Sequence, residues 1–231
     1  MCAKKKIPVT ILTGYLGAGK TTVLNELLKN ERSQHMAVVV NDIGSVNIDA
    51  SLIRNAVDVA EGGLNMVELS NGCICCSLQD AFMKQIERIA KERQVKRILV
   101  EASGVSDPSA IAAGFLEYQN MGLCQAVFLD SVVCVVDADR IYTEFLDDLA
   151  EPDRTQTEQD PDIINLIIDQ IEFCNTILLN KCDLLTPDEI EQVRRTVRIF
   201  QKEADIIACI QGKVNPKRIL QNRKFDYERV M

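Results

Sequence analysis

The stretch that decides the fold is Val9-Thr10-Ile11-Leu12-Thr13-Gly14-Tyr15-Leu16-Gly17-Ala18-Gly19-Lys20-Thr21-Thr22. Its first five residues predict a buried strand, and the next eight fit Gly-x-x-x-x-Gly-Lys-Thr, the pattern of a phosphate-binding loop that opens a helix. Glycines in such a loop allow a tight turn whose backbone N–H groups face phosphate oxygens, and the helix adds the positive end of its dipole. The stretch therefore predicts a nucleoside phosphate site after the first strand.

The polar side chains of this loop have separate expected roles. Lys20 is expected to reach the β- and γ-phosphates, and the hydroxyl of Thr21 to bind Mg²⁺, with Thr22 near a phosphate oxygen. A chance match is the alternative, and the strand before the loop and the helix after it argue against that. The residues expected to bind the nucleotide here are Gly14, Gly17, Ala18, Gly19, Lys20, Thr21 and Thr22.

Apolar, strand-like runs alternate with helical patterns along the rest of the chain, which predicts an α/β fold of the P-loop NTPase type. This alternation implies a mostly parallel sheet with helices on both faces. The predicted strands are Val9–Thr13, Met36–Val40, Val67–Leu69, Arg97–Val100, Ser131–Asp137 and Thr176–Leu179. The predicted helices are Thr21–Asn30, Leu78–Arg93, Ser109–Tyr118, Ile163–Phe173 and Pro187–Glu203, with a short helical pattern from about Pro216 to Asn222.

Composition excludes several classes of function. The 231 residues, 47% of them hydrophobic, suit a single domain over residues 1–231. A formal net charge of −8 argues against a nucleic-acid partner, which requires a basic face. No apolar run is long enough for a membrane span, so no membrane partner is expected. Nine cysteines without a secretion signal indicate thiols in a reducing compartment, and we expect a cytoplasmic protein.

Asn180-Lys181-Cys182-Asp183 follows the last predicted strand and indicates the base of the nucleotide. The Asp183 carboxylate can accept two hydrogen bonds from the N1–H and the amino group of guanine, a donor pair that adenine lacks. Lys181 can cover the face of the base with its aliphatic stem, and Asn180 can tie loops together. Alone this tetrapeptide also fits a helix cap, but together with the phosphate loop it favours GTP and GDP over ATP.

Glu101 and Gly104 follow the predicted strand Arg97–Val100 at the spacing of the Asp and Gly that many GTPases use for Mg²⁺ and for the γ-phosphate. We expect Glu101 to support Mg²⁺ or to orient water, and the N–H of Gly104 to contact the γ-phosphate. An acidic turn before the next helix is the alternative. Asp42 also follows a predicted strand, and it fits either a catalytic role, orienting water or a metal, or a plain turn. The predicted catalytic residues are Lys20, Glu101 and Asp42.

Cys73-Ile74-Cys75-Cys76 places three thiols within four residues, between the two parts of the nucleotide site. Thiolates are soft ligands that favour Zn²⁺ and related ions, and three of them fill three positions of a tetrahedral site. The fourth position stays open to water, a client ligand or a carboxylate such as Asp42. Buried packing thiols and a redox pair are the alternatives to a metal site. The predicted metal ligands are Cys73, Cys75 and Cys76 for the transition metal, and Thr21 and Glu101 for Mg²⁺.

Taken together, these motifs closely resemble the CobW-like metallochaperone GTPases, relatives of the HypB and UreG proteins. The family has Glu where this chain has Asp42, and some relatives carry a His-rich stretch where this chain has only His35. The resemblance rests on Gly14–Thr21, Asn41–Asp49, Asn71–Cys76, Glu101–Pro108, Val136–Ala138, Asn180–Asp183 and Gly212–Val214.

The resemblance implies a slow GTPase that binds Zn²⁺, Co²⁺ or Ni²⁺ at its cysteine motif and delivers it to, or helps to mature, a client metalloprotein. Zn²⁺ is the expected metal. Family members typically continue into a C-terminal domain, and we expect that domain to be absent here or supplied by a separate polypeptide. A nucleotide-dependent homodimer is a further option that the family raises.

Two other classes of function stay open at this point. The first is a nucleotide-dependent regulatory switch or cofactor-enzyme chaperone in which metal binding is incidental. The second is an ATP-dependent kinase with a phosphate loop, which Asn180–Asp183 disfavours. For the metallochaperone reading, γ-phosphate contacts at Gly44 and Gly104 are expected to order the loops that carry the three thiols and so set their ligand geometry, and hydrolysis is expected to loosen them.

Overall fold

A computed structural model describes residues 6–30, 36–40, 65–68, 76–92, 95–146, 160–220 and 225–226. Within these residues, seven strands form one sheet in the order β3-β2-β4-β1-β5-β6-β7. Every pair of neighbouring strands is parallel. The strands are β1 (Ile7–Thr13), β2 (Met36–Val40), β3 (Asn65–Glu68), β4 (Arg97–Glu101), β5 (Val127–Asp137), β6 (Thr176–Asn180) and β7 (Asp205–Ala208).

Helices connect these strands. Three of the longer helices begin with a proline, at Pro108, Pro161 and Pro187, and the Asp or Thr before each proline caps the helix with its side chain. A short α-helix (Ala138–Arg140) runs directly into a π-helix (Ile141–Phe145) after β5. The longer helices are α1 (Lys20–Asn30), α2 (Cys76–Glu92), α3 (Pro108–Asn120), α4 (Pro161–Glu172) and α5 (Pro187–Phe200).

The sheet separates two apolar cores because alternate residues of each strand point to opposite faces. Leu12, Leu99 and Val135 lie on one face and pack with Val23, Leu24 and Leu27 of α1. On the other face, residues of α2, α3, α4 and α5 pack against the neighbouring strand positions, such as Ile11, Val100 and Val136. The predicted three-layer α/β architecture is thus confirmed, and within the described residues the sheet is fully parallel.

Several elements differ from the sequence prediction, most of them by one or two residues at an end. β7 was not predicted, and the last long helix ends at Phe200 instead of continuing to Glu203. β5 begins at Val127, whereas the sequence prediction began it at Ser131. The prediction missed the first part of the strand because Asp130 is an extra residue that interrupts the apolar pattern. Val9 pairs with Leu129 and Thr10 with Ser131, so Asp130 forms a bulge opposite β1. The last short helical pattern is a 3-10 helix at Pro216–Arg218.

The parallel arrangement brings the carboxyl ends of all seven strands to one edge of the sheet, which is where ligands bind in open α/β folds. The phosphate loop follows β1 at this edge, and the guanine motif follows β6. No helix among the described residues is both long and apolar enough to cross a membrane.

Candidate nucleotide site

The phosphate loop adopts a turn that requires glycine at two of its positions. Gly14 has a φ of 132°, and a Cβ added there would overlap the carbonyl oxygen of Val135 in β5. Gly19 has a φ of 101°, and an added Cβ would overlap the side-chain amide of Asn180. The loop is therefore seated against β5 on one side and the guanine motif on the other. The positive φ values agree with the tight turn that the glycine pattern predicted.

Lys20 curls back over the loop that precedes it. Its ammonium group donates hydrogen bonds to the carbonyl oxygens of Gly14, at 2.8 Å, and Tyr15, at 3.2 Å. The side chain is 9% exposed, so its positive charge is concentrated at the loop and is poorly screened by solvent. Together with the N-terminus of α1, which begins at this residue, Lys20 makes the loop an anion-binding site.

Thr21 and Glu101 join the start of α1 to the end of β4. The hydroxyl of Thr21 donates a 2.7 Å hydrogen bond to Glu101 Oε1, and Glu101 is 5% exposed. A hydroxyl and a carboxylate are hard oxygen donors of the kind that Mg²⁺ prefers, usually with retained waters and phosphate oxygens. The chemistry of this pair therefore fits Mg²⁺, and the predicted roles of Thr21 and Glu101 stay predictions.

Gly104 lies in the loop between β4 and α3, against the phosphate loop. A Cβ added to Gly104 would come within 2.6 Å of Leu16 Cδ2 and 2.9 Å of the Leu16 backbone nitrogen. Only glycine therefore allows this loop to approach the phosphate loop so closely. Its predicted role as a γ-phosphate contact is compatible with that position.

Asn180 connects three segments through its buried amide. Its Nδ2 donates to the carbonyl of Ala18 at 2.9 Å, and its Oδ1 accepts from the backbone N–H of Gly212 at 3.0 Å. A Cβ on Gly212 would lie 2.8 Å from the backbone nitrogen of Val23 in α1. The expectation that Asn180 ties loops together agrees with these contacts, and Gly212 is the partner whose role sequence reasoning did not identify.

Lys181 and Asp183 stand at the solvent side of the same motif. Lys181 has a left-handed backbone, with a φ of 62°, and its ammonium group forms an ion pair with Asp137 at the end of β5. Asp137 also caps the short helix after β5 by accepting from the N–H of Arg140 at 3.2 Å. Asp183 is exposed within a 3-10 helix at Cys182–Leu184, so its carboxylate is accessible to a ligand.

A cation and two aromatic rings flank the phosphate loop beside this motif. The Arg140 guanidinium carbon lies 5.2 Å from the ring centroid of Tyr15 and 5.4 Å from that of Phe145. Its Nε also donates to Glu144 at 2.7 Å. The sequence did not predict this contact because Arg140 belongs to a helix that is too short to show a periodic pattern.

The proposed transition-metal residues fall largely outside the described part of the chain. Asp42, Cys73 and Cys75 lie outside the described residues, and Cys76 is known only as the first residue of α2. Among the residues that the structure describes, no group of three or more His, Cys, Asp or Glu side chains could hold a metal ion. The metal site therefore stays a prediction.

The cysteines whose side chains the structure describes are buried and are not in disulfides, as expected for thiols that pack as small hydrophobic residues. They are Cys124, Cys134, Cys174, Cys182 and Cys209. Burial raises the pKa of the Cys124 thiol to about 11, with a further contribution from Glu87. Burial also raises the pKa of Cys209 to about 12 and that of Cys174 well above its usual value. Neutral thiols are poor nucleophiles and poor metal ligands, so Cys124, Cys174 and Cys209 have a structural role.

The sheet order and the phosphate loop, with Thr21 bound to Glu101 and Asn180 bound to the loop, define a P-loop nucleotide-binding domain. The sequence profile described as CobW/HypB/UreG, nucleotide-binding domain, matches residues 8–208. The chain belongs to this family. The resemblance stated from the motifs is thereby confirmed.

Two curated relatives illustrate the range of the family. The zinc-regulated GTPase metalloprotein activator 1 of Dictyostelium discoideum is 34% identical over 238 residues, covering 97% of this chain and 50% of that protein. The zinc chaperone CobW of Pseudomonas aeruginosa is 32% identical over 204 residues, covering 83% of this chain and 53% of that protein. The chain thus spans about half the length of these curated relatives.

Solved structures agree with the fold. The crystal structure of the Zn(II)-bound YjiA GTPase from E. coli superposes with a TM-score of 0.66 at 25% identity, over 96% of this chain and 63% of that one. HypB from Helicobacter pylori, solved in complex with nickel, superposes with a TM-score of 0.54 at 15% identity, over 97% and 87% of the two chains. At that identity, the second likeness concerns the fold alone.

Proposed function

We propose that this chain binds and hydrolyses GTP and uses the nucleotide to control a transition metal that it passes to a client metalloprotein. The hydrogen bond between Thr21 and Glu101 carries the hydrolytic part of the proposal, because it joins the phosphate loop to the carboxylate at the end of β4. Family membership over residues 8–208 supports the same conclusion. Bound GTP and Mg²⁺ supply a transferable phosphoryl group and a positive charge beside it.

The chain's own residues divide the remaining work. Lys20 and the backbone N–H groups of the phosphate loop bind and orient the phosphates, while Glu101 fixes the hydroxyl of Thr21. Asp183 selects guanine, and Lys181, with its ion pair to Asp137, stands beside the base. We retain Asp42 as the proposed residue that orients water. These assignments use positioning and electrostatics, the main contributions a protein makes to phosphoryl transfer.

The metal part of the proposal rests on Cys73, Cys75 and Cys76 and on the names of the relatives. Three thiolates with an open fourth position suit a metal in transit better than a structural zinc site, which four protein ligands normally close. Zinc is the proposed cargo because the curated relatives are named for zinc, and Co²⁺ and Ni²⁺ are the alternatives. We further propose that the chain acts in the cytoplasm, either as a monomer or as a nucleotide-dependent homodimer.

Zinc titration in two nucleotide states tests the proposal. The protein is loaded with GDP or with a non-hydrolysable GTP analogue, and Zn²⁺ affinity is measured by competition with a chromogenic chelator. We expect tighter binding in one state and loss of the site in the triple variant C73S/C75S/C76S. The variant C2S removes a thiol outside the motif and should retain the wild-type affinity.

The outcomes separate the two parts of the proposal. Equal zinc affinity in both nucleotide states would overturn the coupling, and wild-type affinity in the triple variant would overturn the cysteine site. In that second case, intact GTP binding and hydrolysis would favour a nucleotide-dependent partner switch. Failure of the wild-type chain to bind GTP would overturn the proposal at its base.

A further inference from the structure

Gln170 is a buried polar residue of α4 that makes two long-range hydrogen bonds. Its side chain is 1% exposed, and its Nε2 donates to the carbonyl oxygens of Gly104, at 3.1 Å, and Ser106, at 3.2 Å. Both acceptors belong to the loop between β4 and α3. A buried amide with two backbone partners is costly to disturb, so it fixes the position of that loop.

The loop has few other attachments to the body of the domain. At its start, Ala102 donates to the carbonyl of Leu12 at 2.9 Å, and at its end Asp107 caps α3. Between these points, Gly104 touches Leu16, and the side chain of Val105 is 49% exposed. The described contacts of its middle are therefore the phosphate loop on one side and Gln170 on the other.

Gln170 also borders a cavity beside the nucleotide site. The cavity lies between the phosphate loop and α4, lined by Tyr15 and Leu16 on one side and by Ile167 and Ile171 on the other, with Gln170 at its wall. The two hydrogen bonds of Gln170 therefore link α4 to the loop of Gly104 at the edge of this cavity.

We infer that Gln170 is the positioning residue that holds Gly104 against the phosphate loop, and so sets the preference of this site for GTP over GDP. This inference rests on the proposed binding of GTP. The N–H of Gly104 can contact a third phosphate only if its loop is held close to Leu16. GDP has no third phosphate, so its binding does not depend on this position of the loop. Gln170 does not touch the nucleotide and acts through the loop.

The test compares affinities for a non-hydrolysable GTP analogue and for GDP, both with Mg²⁺, in wild-type protein and in Q170M. Methionine matches the length of glutamine but donates no hydrogen bond. We expect the affinity for the analogue to fall about tenfold, the loss expected from two hydrogen bonds, and the affinity for GDP to change less than about twofold. The ratio of the two affinities is insensitive to a general loss of stability.

Gln201 provides a matched control. Its Nε2 also donates two hydrogen bonds to backbone carbonyls, that of Glu172 at the end of α4, at 2.6 Å, and that of Cys174 just after it, at 3.0 Å. Q201M therefore removes the same number and kind of bonds without touching the loop of Gly104. Its affinity ratio should equal that of the wild type.

A second variant covers the case in which Q170M does not fold. In Q170E the introduced carboxyl group keeps one donor while protonated and none after ionisation, so the affinity ratio should fall further as pH rises. A wild-type ratio in Q170M, or a pH-independent wild-type ratio in Q170E, would overturn the inference. Absence of GTP binding in the wild-type chain would instead overturn the proposed function.

Discussion

At the scale of single residues, Asn180 shows how one side chain organises the site. Its amide is complementary to two backbone groups, one on the phosphate loop and one at Gly212, and both hydrogen bonds are buried. Replacement by aspartate would leave the Ala18 carbonyl opposite a carboxylate oxygen. Asn180 therefore joins the guanine motif to the phosphate loop and to the segment of Gly212.

Asp183→Asn tests the choice of base. In the proposed contact the Asp183 carboxylate accepts two hydrogen bonds from guanine, and the neutral amide, which offers an N–H at one of these positions, would lose both charge-assisted bonds. We expect GTP affinity to fall about 100-fold or more, since hydrogen bonds to charged groups contribute roughly 1.5–3 kcal/mol each. Fluorescence titration with a labelled GTP derivative measures the change.

Asp188 supplies the control for that experiment. It is an exposed aspartate in the first turn of α5, so Asp188→Asn makes the same change of charge near the same motif. Its GTP affinity should stay within about twofold of the wild type, because a surface charge contributes little to binding. Equal losses in both variants would show that net charge, and not contact with guanine, sets the affinity.

The buried thiols predict a loss of stability in alkali. The pKa of Cys124 is raised from 9.0 to about 11 and that of Cys209 from 9.0 to about 12, chiefly by burial. The folded state therefore keeps protons that the unfolded chain releases above about pH 9. The free energy of unfolding should fall as pH rises through this window, by up to about 1.4 kcal/mol per pH unit for each thiol.

Urea unfolding at pH 8 and pH 10 measures this effect. In C124A the apolar packing is largely kept and one titrating group is removed, so the fall in stability between the two pH values should be smaller by about 1 kcal/mol. An unchanged difference would mean that the Cys124 thiol does not contribute to the alkaline transition.

At the scale of elements, the connection after β7 depends on a close approach to α1. Gly212 and Gly122 have nearly the same backbone conformation, with φ of 69° and 70°. An added Cβ at Gly212 meets backbone atoms of Val23 and Thr22, whereas nothing lies within 4 Å at Gly122. Alanine substitutions at the two glycines therefore distinguish the cost of backbone strain from the cost of steric overlap with a neighbour.

We expect Gly122→Ala to cost about 1–2 kcal/mol of stability, the cost of a left-handed residue that carries a Cβ. Gly212→Ala should cost at least about 1–3 kcal/mol more, because backbone atoms at the start of α1 must shift. It should also weaken nucleotide binding through Asn180. Urea midpoints and GTP titrations measure both effects, and equal costs at the two glycines would contradict the overlap.

Local patterns explain which elements could be predicted from the sequence. The phosphate loop, the guanine motif and Glu101 each lie next to a strong apolar run, so their positions at strand ends followed from the pattern. β7 has only four residues and begins soon after the amphipathic helix α5, so the sequence showed no separate strand pattern there. The bulge at Asp130 similarly obscured the first half of β5.

Contacts between distant elements explain what the sequence could not predict in the site. Gln170 lies on the buried side of a helix pattern, and α3 and β5 both lie between it and Gly104 in the chain. Asp137 was visible only as part of the family resemblance, and its ion pair with Lys181 depends on β5 and β6 being neighbours. Such pairings require the strand order, which no local pattern contains.

At the scale of the whole molecule, GTP should stabilise the fold. The nucleotide site draws on β1, β4 and β6 and on the loops after them, so a ligand there binds only the folded chain. At a free concentration about 100 times its dissociation constant, GTP should add about 2.7 kcal/mol to the free energy of unfolding. ATP at the same concentration should add much less, because adenine lacks the donor pair that the proposed contact with Asp183 requires.

Differential scanning fluorimetry with GTP, GDP and ATP measures this difference, with Mg²⁺ in every sample. Equal shifts of the melting temperature with ATP and GTP would contradict the choice of guanine and would revive the ATP-dependent alternative. In Asp183→Asn the shift with GTP should fall towards that with ATP.

The strand order also determines when the molecule can form during synthesis. β1 is made early, but its two neighbours are β4 and β5, which come from Arg97–Glu101 and Val127–Asp137. Contacts between such distant segments slow folding and leave apolar strands exposed in incomplete chains. A ribosome that stalls before Val127 would therefore release a chain that carries the phosphate-loop sequence but lacks the strand against which Gly14 is seated.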